Sequence, residues 1–227
     1  MPARGTTRWT MALLAAAVAA HGACSRAPNA NPQAGALYAD LWMETSAEYY
    51  ALCVETYQAA GRQLEPRLRE HRPTADARPL AVVLDLDETV IDNTGYQALL
   101  YRRRERFAES SWTEWVRAQA ESGPARCVPG ACEFLAEMEK RGVAAVFVSN
   151  RGETTRPYTA RTLERLGIPT AGLDDPVRKR LWLATRTQSK EERRRAVAEA
   201  FQILAYFGDN LADFAGEFEA SAAGDFQ

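Results

Sequence analysis

Asp85 and Asp87 flank Leu86 at the end of an apolar run that starts at Leu80. Residues two apart on a strand start on one face, so both carboxyls set out together. Paired carboxylates leaving an apolar segment are costly without a cation. By itself, Asp-x-Asp also serves as a turn and helix cap. Asp209, in Gly208-Asp209-Asn210-Leu211-Ala212-Asp213, closes another apolar run and adds a third acid. Three acids and a backbone carbonyl form an oxygen-rich set. It suits a hard cation that keeps several waters, such as Mg²⁺, better than Zn²⁺. Asp213 lies one helical turn beyond Asp209 and could hold a metal-bound water. Its other reading is a first-turn acid complementing a helix dipole.

Ser149-Asn150-Arg151 follows the apolar run Val143 to Val148. The Ser149 hydroxyl and the backbone N–H groups of Asn150 and Arg151 could cradle a phosphate. A plain strand-end turn reads equally well. Lys190 stands at a helix start, where positive charge favours an anion. Lys140, Lys179 and Lys190 are the only lysines, so a lysine here departs from a chain that otherwise writes its cations as arginine. Together these parts describe phosphoryl transfer. Asp85 is the candidate nucleophile, with Mg²⁺ offsetting carboxylate–phosphate repulsion. Asp87 would protonate the leaving oxygen and then activate water. Ser149, Lys190 and the backbone amides would hold the equatorial oxygens.

Strands at Leu80–Leu86, Val143–Val148, Leu181–Ala184 and Phe201–Phe207 would bring these groups to one rim. Helices are predicted over Leu37–Leu64, about Trp112–Glu121, Pro129–Lys140, Glu153–Leu166 and Ser189–Ala200. Pro66 is expected to break the first of these. Ser111 and Glu114 form a capping-box pattern for the second. Gly167 is a good C-cap for the Glu153 helix. Strands alternating with helices imply a doubly wound, mainly parallel α/β sheet, with ligands beyond the carboxyl ends of the strands. Gly95 to Val128 reads as an insertion. The arginine clusters Arg102–Arg104 and Arg193–Arg195 read as solvated helix faces.

The amino terminus has an export pattern. Arg4 and Arg8 precede an apolar run from Met11 to Ala20, then Gly22-Ala23-Cys24. The run is too short to span a bilayer. Residues 1–23 read as a signal peptide and 24–36 as a tether. Cleavage before Cys24, followed by its lipidation, would give a lipoprotein anchored in the outer membrane. Cleavage after Ala23 without lipidation would release a periplasmic protein. Cys127 and Cys132 are near enough to pair in an oxidising envelope, or could be small buried hydrophobes like Cys53. The 227 residues carry 28 basic and 30 acidic groups, a formal charge of −2. That balance gives no general pull toward a nucleic acid polymer. Hydrophobic residues make up 46%, enough for a globular core.

The four motifs, in this order and spacing, resemble those of the haloacid dehalogenase superfamily. Asp85-Leu86-Asp87-Glu88-Thr89 matches the first, Ser149 the second, Lys190 the third and Gly208–Asp213 the fourth. Asp85–Asn93, Thr45–Tyr49, Val128–Ala131 and Val148–Arg151 further resemble the class C, lipoprotein-type acid phosphatases. The likeness runs from about Leu37 to Phe214. It implies a Mg²⁺-dependent phosphomonoesterase working in acid, on small phosphomonoesters and often 5′-nucleotides, in the cell envelope. It makes Asp85 the nucleophile, Asp87 the acid/base and a carbonyl metal ligand, and Asp209 and Asp213 the remaining metal residues. Thr89, Ser149, Asn150 and Lys190 would bind phosphate. The insertion, about residues 93–128, becomes a small helical cap. Its Tyr96, Trp112 and Trp115 are candidates to stack on a substrate ring, or to fill the cap's own core. The domain would run over 37–227, and family members continue beyond the fourth motif. The short tail suggests truncation, with an apolar Phe201–Phe207 strand lacking one neighbour. Alternatives are a specific nucleotidase or phosphotransferase of the same superfamily, and a truncated, inactive phosphate-binding remnant.

Overall fold

The structure is a computed structural model that describes residues 30–72, 74, 77–185 and 189–218. The export segment and Cys24 lie outside these residues. Two helices come first, α1 (Leu37–Thr45) and α2 (Ala47–Glu70). Ser46 caps α2 by accepting the Tyr49 N–H (2.8 Å). Contrary to expectation, α2 runs through Pro66 to Glu70. Pro66 and Arg62 are exposed, so the Arg62 carbonyl that loses its partner can be met by water.

The main sheet contains β1 (Leu80–Leu84), β4 (Ala144–Gly152), β5 (Leu181–Ala184) and β6 (Gln202–Phe207), in the order β5-β4-β1-β6, all parallel. β1 is central, buried on both faces, and accordingly has no polar position. Its alternate side chains feed two cores. Val82 and Leu84 join Tyr57 and Leu64 of α2, Phe134, Leu135 and Met138 of α5 (Ala131–Lys140), and Leu163 of α6 (Arg156–Arg165). Ala81 and Val83 face the other way, against Val146, Val148, Val197 of α7 (Glu191–Ala200) and Phe201. The chain steps from β1 outward to β4 and β5, then crosses back to β6 on the other side of β1. Helices on opposite faces are what right-handed crossovers in opposite directions require. This reversal places a crevice at the carboxyl ends of β1 and β6. Among the described residues β6 pairs on one side only, with β1.

Between β1 and α5 the chain makes a smaller unit. A short hairpin pairs β2 (Ile91–Asp92) antiparallel to β3 (Arg126–Cys127). It frames α3 (Thr94–Arg103) and α4 (Glu109–Glu121). Helix α4 begins three residues before the expected Trp112, and no side chain caps it. The Ser111 hydroxyl is spent as a donor to the Ala108 carbonyl (3.0 Å), so the expected capping box does not form. Cys127 and Cys132 form a disulfide that joins β3 to α5. Cys53 is a free, half-buried thiol. Gly167, at φ +74°, ends α6 as predicted. Among the described residues no helix is long and apolar enough to cross a membrane.

Candidate active site

The Asp85 N–H donates to the Phe207 carbonyl (3.0 Å), so Asp85 and Gly208-Asp209 leave neighbouring strands side by side. Lys190, at the start of α7, reaches into the gap. Its Nζ donates to Asp85 Oδ1 (2.5 Å) and to Asp213 Oδ1 (2.6 Å), and all three side chains are buried. Asp85, Asp209 and Asp213 each offer an oxygen within 4.8 Å of the others. A single turn of 3₁₀ helix, Leu211–Asp213, turns the last of these inward. The Asn210 N–H donates to Asp213 Oδ2 (3.1 Å), and Asn210 Oδ1 accepts from the Ala212 N–H (3.0 Å). Gly208 is required beneath it, because a Cβ there would run into the Asp213 carboxylate.

These groups line a cavity of about 380 Å³, together with Asp87, Glu88, Asn150 and Ser189. Five acidic side chains therefore crowd it, and Lys190 is the cation among its lining residues. Burial pushes the Asp85 carboxyl above its ordinary range, while the Lys190 ammonium pulls the other way. Burial also raises Asp209, with Asp213 adding to the effect. Glu88 is pushed up to about 8 by burial and then by the Asp87 and Asp209 charges. Its backbone sits at φ +57°, an uncommon conformation for a side-chain-bearing residue, in the turn where Leu86 O accepts from Val90 and Ile91. This surplus of buried negative charge, on oxygen donors alone, fits a hard divalent cation.

Asp87 is held by a different set. The Arg151 guanidinium donates Nε (3.0 Å) and Nη2 (2.7 Å) to Asp87 Oδ1, and Nε also lies 3.1 Å from Oδ2. Asn93 Nδ2 adds a bond to Oδ1 (2.9 Å). Asn93 Oδ1 in turn accepts from Trp115 Nε1 (3.0 Å) and Gln119 Nε2 (3.1 Å), both on α4. The Trp112 ring lies 5.6 Å from the Arg151 guanidinium carbon.

Asp85, Asp87, Asn150, Lys190, Asp209 and Asp213 thus converge on one cavity. Ser149 lies beside it but is fully buried. Its Oγ accepts the Arg151 N–H (3.2 Å) and its carbonyl accepts Arg193 Nη1 (2.5 Å). Thr89 faces elsewhere: it lines a neighbouring, more apolar cavity of about 650 Å³ with Tyr57 and Tyr206, and its Oγ1 is buried with no hydrogen-bond partner among the described residues. Tyr96 is 1% exposed and packs on Phe107, Trp112 and Trp115, with its hydroxyl on Ser111 Oγ (2.9 Å). Its ring lies in the core of the smaller helical unit and has no open face for a substrate. Trp112 and Trp115 are half-buried and already engaged with Arg151 and Asn93.

The sequence reading missed the side chains of Arg151, Asn93, Arg193 and Arg194. Arg193 and Arg194 are not a solvated face. Arg193 Nη2 also donates to Asn150 Oδ1 (2.7 Å), and the buried Arg194 donates Nη1 to the Ala212 (2.8 Å) and Asp213 (3.2 Å) carbonyls. Their place in the first turn of α7, beside both site loops, is the reason, and Lys190 just before that helix is the sequence signal pointing there. Within that cluster Arg195 alone matches the expectation, exposed and paired with Glu191, whereas Arg102, Arg103 and Arg104 are all exposed as expected.

The chain is similar to solved class C acid phosphatase structures from Bacillus anthracis. One, with tungstate bound, is 32% identical and superposes with a TM-score of 0.71, covering 82% of this chain and 73% of that one. A second is 32% identical with a TM-score of 0.70, covering 81% and 72%. The family model described as HAD superfamily, subfamily IIIB (acid phosphatase) matches residues 6–225. The strands that carry Asp85 and Asp209, and the lysine between them, therefore sit in a chain that belongs to the class C acid phosphatases of the HAD superfamily, enzymes that hydrolyse phosphomonoesters.

Proposed function

We propose that this acid phosphatase works through an aspartyl-phosphate on Asp85, aided by Mg²⁺, on small phosphomonoesters that include 5′-nucleotides. The observation that carries the reading is the Asp85 carboxylate at the end of β1, with Lys190 at 2.5 Å and Asp209 and Asp213 grouped around it. An attacking oxygen and a fixed cation for the phosphate then share one rim.

In the first half-reaction an Asp85 oxygen bonds phosphorus, the ester P–O bond breaks, and the leaving oxygen takes the proton carried by Asp87. In the second, a water oxygen bonds phosphorus as the Asp85–phosphorus bond breaks, and Asp87 takes the water proton. The products are the alcohol and inorganic phosphate, and both aspartates return to their starting state. Lys190 and the backbone at Asn150 hold the equatorial oxygens as charge shifts among them, while the buried Ser149 hydroxyl fixes the Arg151 N–H beside them. Asp85, Asp209 and Asp213, with the Asp87 carbonyl, would hold Mg²⁺. When bound, it supplies positive charge against carboxylate–phosphate repulsion. The export pattern and Cys24 support placement in the cell envelope, lipid-anchored to the outer membrane or free in the periplasm.

Hydrolysis of p-nitrophenyl phosphate and of 5′-nucleotides across pH, with Mg²⁺ or a chelator, tests the reading. We expect activity in acid, lost on chelation and in Asp85→Asn. Full activity in Asp85→Asn would refute the mechanism. Mass spectrometry of the mature N-terminus tests the anchor, and an unmodified Cys24 would remove it.

A further inference from the structure

We propose that Arg151 is a positioning residue for Asp87, and that with Asn93 it selects Asp87 Oδ2 as the oxygen that exchanges a proton with the leaving group. The inference rests on the acid/base role given to Asp87 above. Arg151 ends the Ser149-Asn150-Arg151 turn, and its side chain, more than its backbone, reaches the site through Asp87. The Arg151 side chain is 0% exposed, against 21% for that of Asp87. A buried guanidinium is costly unless its donors are used. Here they are used on Asp87, with a further, longer bond from Nη1 to Thr159 Oγ1 (3.4 Å).

The two oxygens of Asp87 are not equivalent. Oδ1 accepts from Arg151 Nε, Arg151 Nη2 and Asn93 Nδ2. Three donors fill its lone-pair directions. Oδ2 accepts only the second branch of the shared Arg151 Nε–H (3.1 Å) among the described residues. Asp87 lines the same cavity as Asp85 and Lys190. Oδ2 is thus the oxygen with capacity to spare. The planar guanidinium fork fixes the carboxylate plane, which a point-charge ammonium cannot do. Both ends of this clamp lean on the cap helix, through Trp112 over Arg151 and through Trp115 and Gln119 on Asn93.

The test exploits the leaving group. An alkoxide needs its proton delivered as the P–O bond breaks, whereas p-nitrophenolate leaves readily without one. The full-length Mg²⁺-loaded protein is assayed with glycerol phosphate and p-nitrophenyl phosphate, and kcat/KM is compared because it reports the steps through bond cleavage. In Arg151→Lys we expect kcat/KM for glycerol phosphate to fall on the order of 100-fold, the scale of a misplaced catalytic group. For p-nitrophenyl phosphate the fall should be less than about fivefold, since it forgoes little acid catalysis. Competitive inhibition by inorganic phosphate should be unchanged. Equal falls for both substrates would overturn the proposal.

Asp87→Asn is the control. If it shows no selective loss on glycerol phosphate, the acid role of Asp87 fails and this inference fails with it. If it does and Arg151→Lys does not, only the positioning role is refuted. Should Arg151→Lys not fold by thermal melt, Trp112→Leu carries the test, because it removes the ring over Arg151 without unpairing a buried charge. A loss confined to glycerol phosphate supports the proposal, and a uniform loss or none overturns it.

Discussion

Glu88→Gln isolates the electrostatic cost of keeping five acids in one cavity. Glu88 is pushed from 4.5 up to about 8, first by burial and then by Asp87 and Asp209. A raised carboxyl means that the folded protein holds a proton which the unfolded chain releases. Between pH 4.5 and about 8 the folded state binds more protons, so stability falls as pH rises through that window. At roughly 1.4 kcal/mol per pH unit, the interval sets a ceiling of about 5 kcal/mol. Partial solvent access and screening reduce this to about 2–3 kcal/mol. Glutamine keeps the Oε1 acceptor that the Asn93 N–H uses at 3.2 Å, so the turn should survive. Without a divalent cation, the variant should therefore be more stable than the parent at pH 8. For a domain of this size that is about 5–10 °C in Tm. Thermal melts in chelator at pH 5 and pH 8 decide it. Most of the gap should be gone at pH 5, and Mg²⁺ should narrow it at pH 8. A variant no more stable than the parent at pH 8, or one equally favoured at pH 5, would refute the reasoning.

Two further outcomes follow from packing and cross-linking. Gly208→Ala places a Cβ against the Asp213 carboxylate and should lift Asp213 away from Lys190. We expect kcat to drop on the order of 100-fold in a steady-state assay, and near-parental activity would show that Asp213 does not need its place. Replacing Cys127 and Cys132 together with serine opens the short loop they close. Loop entropy gives a loss of about 2 kcal/mol, read as a lower denaturation midpoint, and a parental midpoint would count against it.

The main sheet was legible because β1 is central and buried on both faces, so its residues form an unbroken apolar run. β4, β5 and β6 were also legible as apolar runs, although β5 and β6 are edge strands among the described residues and β6 is mostly half-buried, and with them came the rim where the acids converge. What stayed hidden was tertiary. Arg151 meets Asp87 across 64 positions of sequence, and nothing local distinguishes it from a solvated arginine. Ser111 looked like a cap, but whether a hydroxyl accepts from a helix start or donates to a nearby carbonyl depends on backbone angles that its neighbours do not encode. Tyr96 and Thr89 had suitable chemistry but the wrong orientation. Tyr96 fills the core of the smaller helical unit, and Thr89 lines the more apolar cavity beneath α2.

The hairpin of β2 and β3 has a consequence for how such a protein could be re-engineered. The insertion leaves and returns through paired neighbours, Ile91 beside Cys127 and Asp92 beside Arg126, and a disulfide pins the return strand to α5. A different length of chain could be grafted between those two strands without disturbing the register of the main sheet. The graft would inherit Asp85, the proposed nucleophile, and the acidic cluster intact. It would not inherit Trp112, Trp115 or Gln119, and so would lose the grip on Arg151 and Asn93. Under the proposed aspartyl-phosphate mechanism, a chimaera of that kind should fold, react with esters of good leaving groups, and stall on those of poor ones.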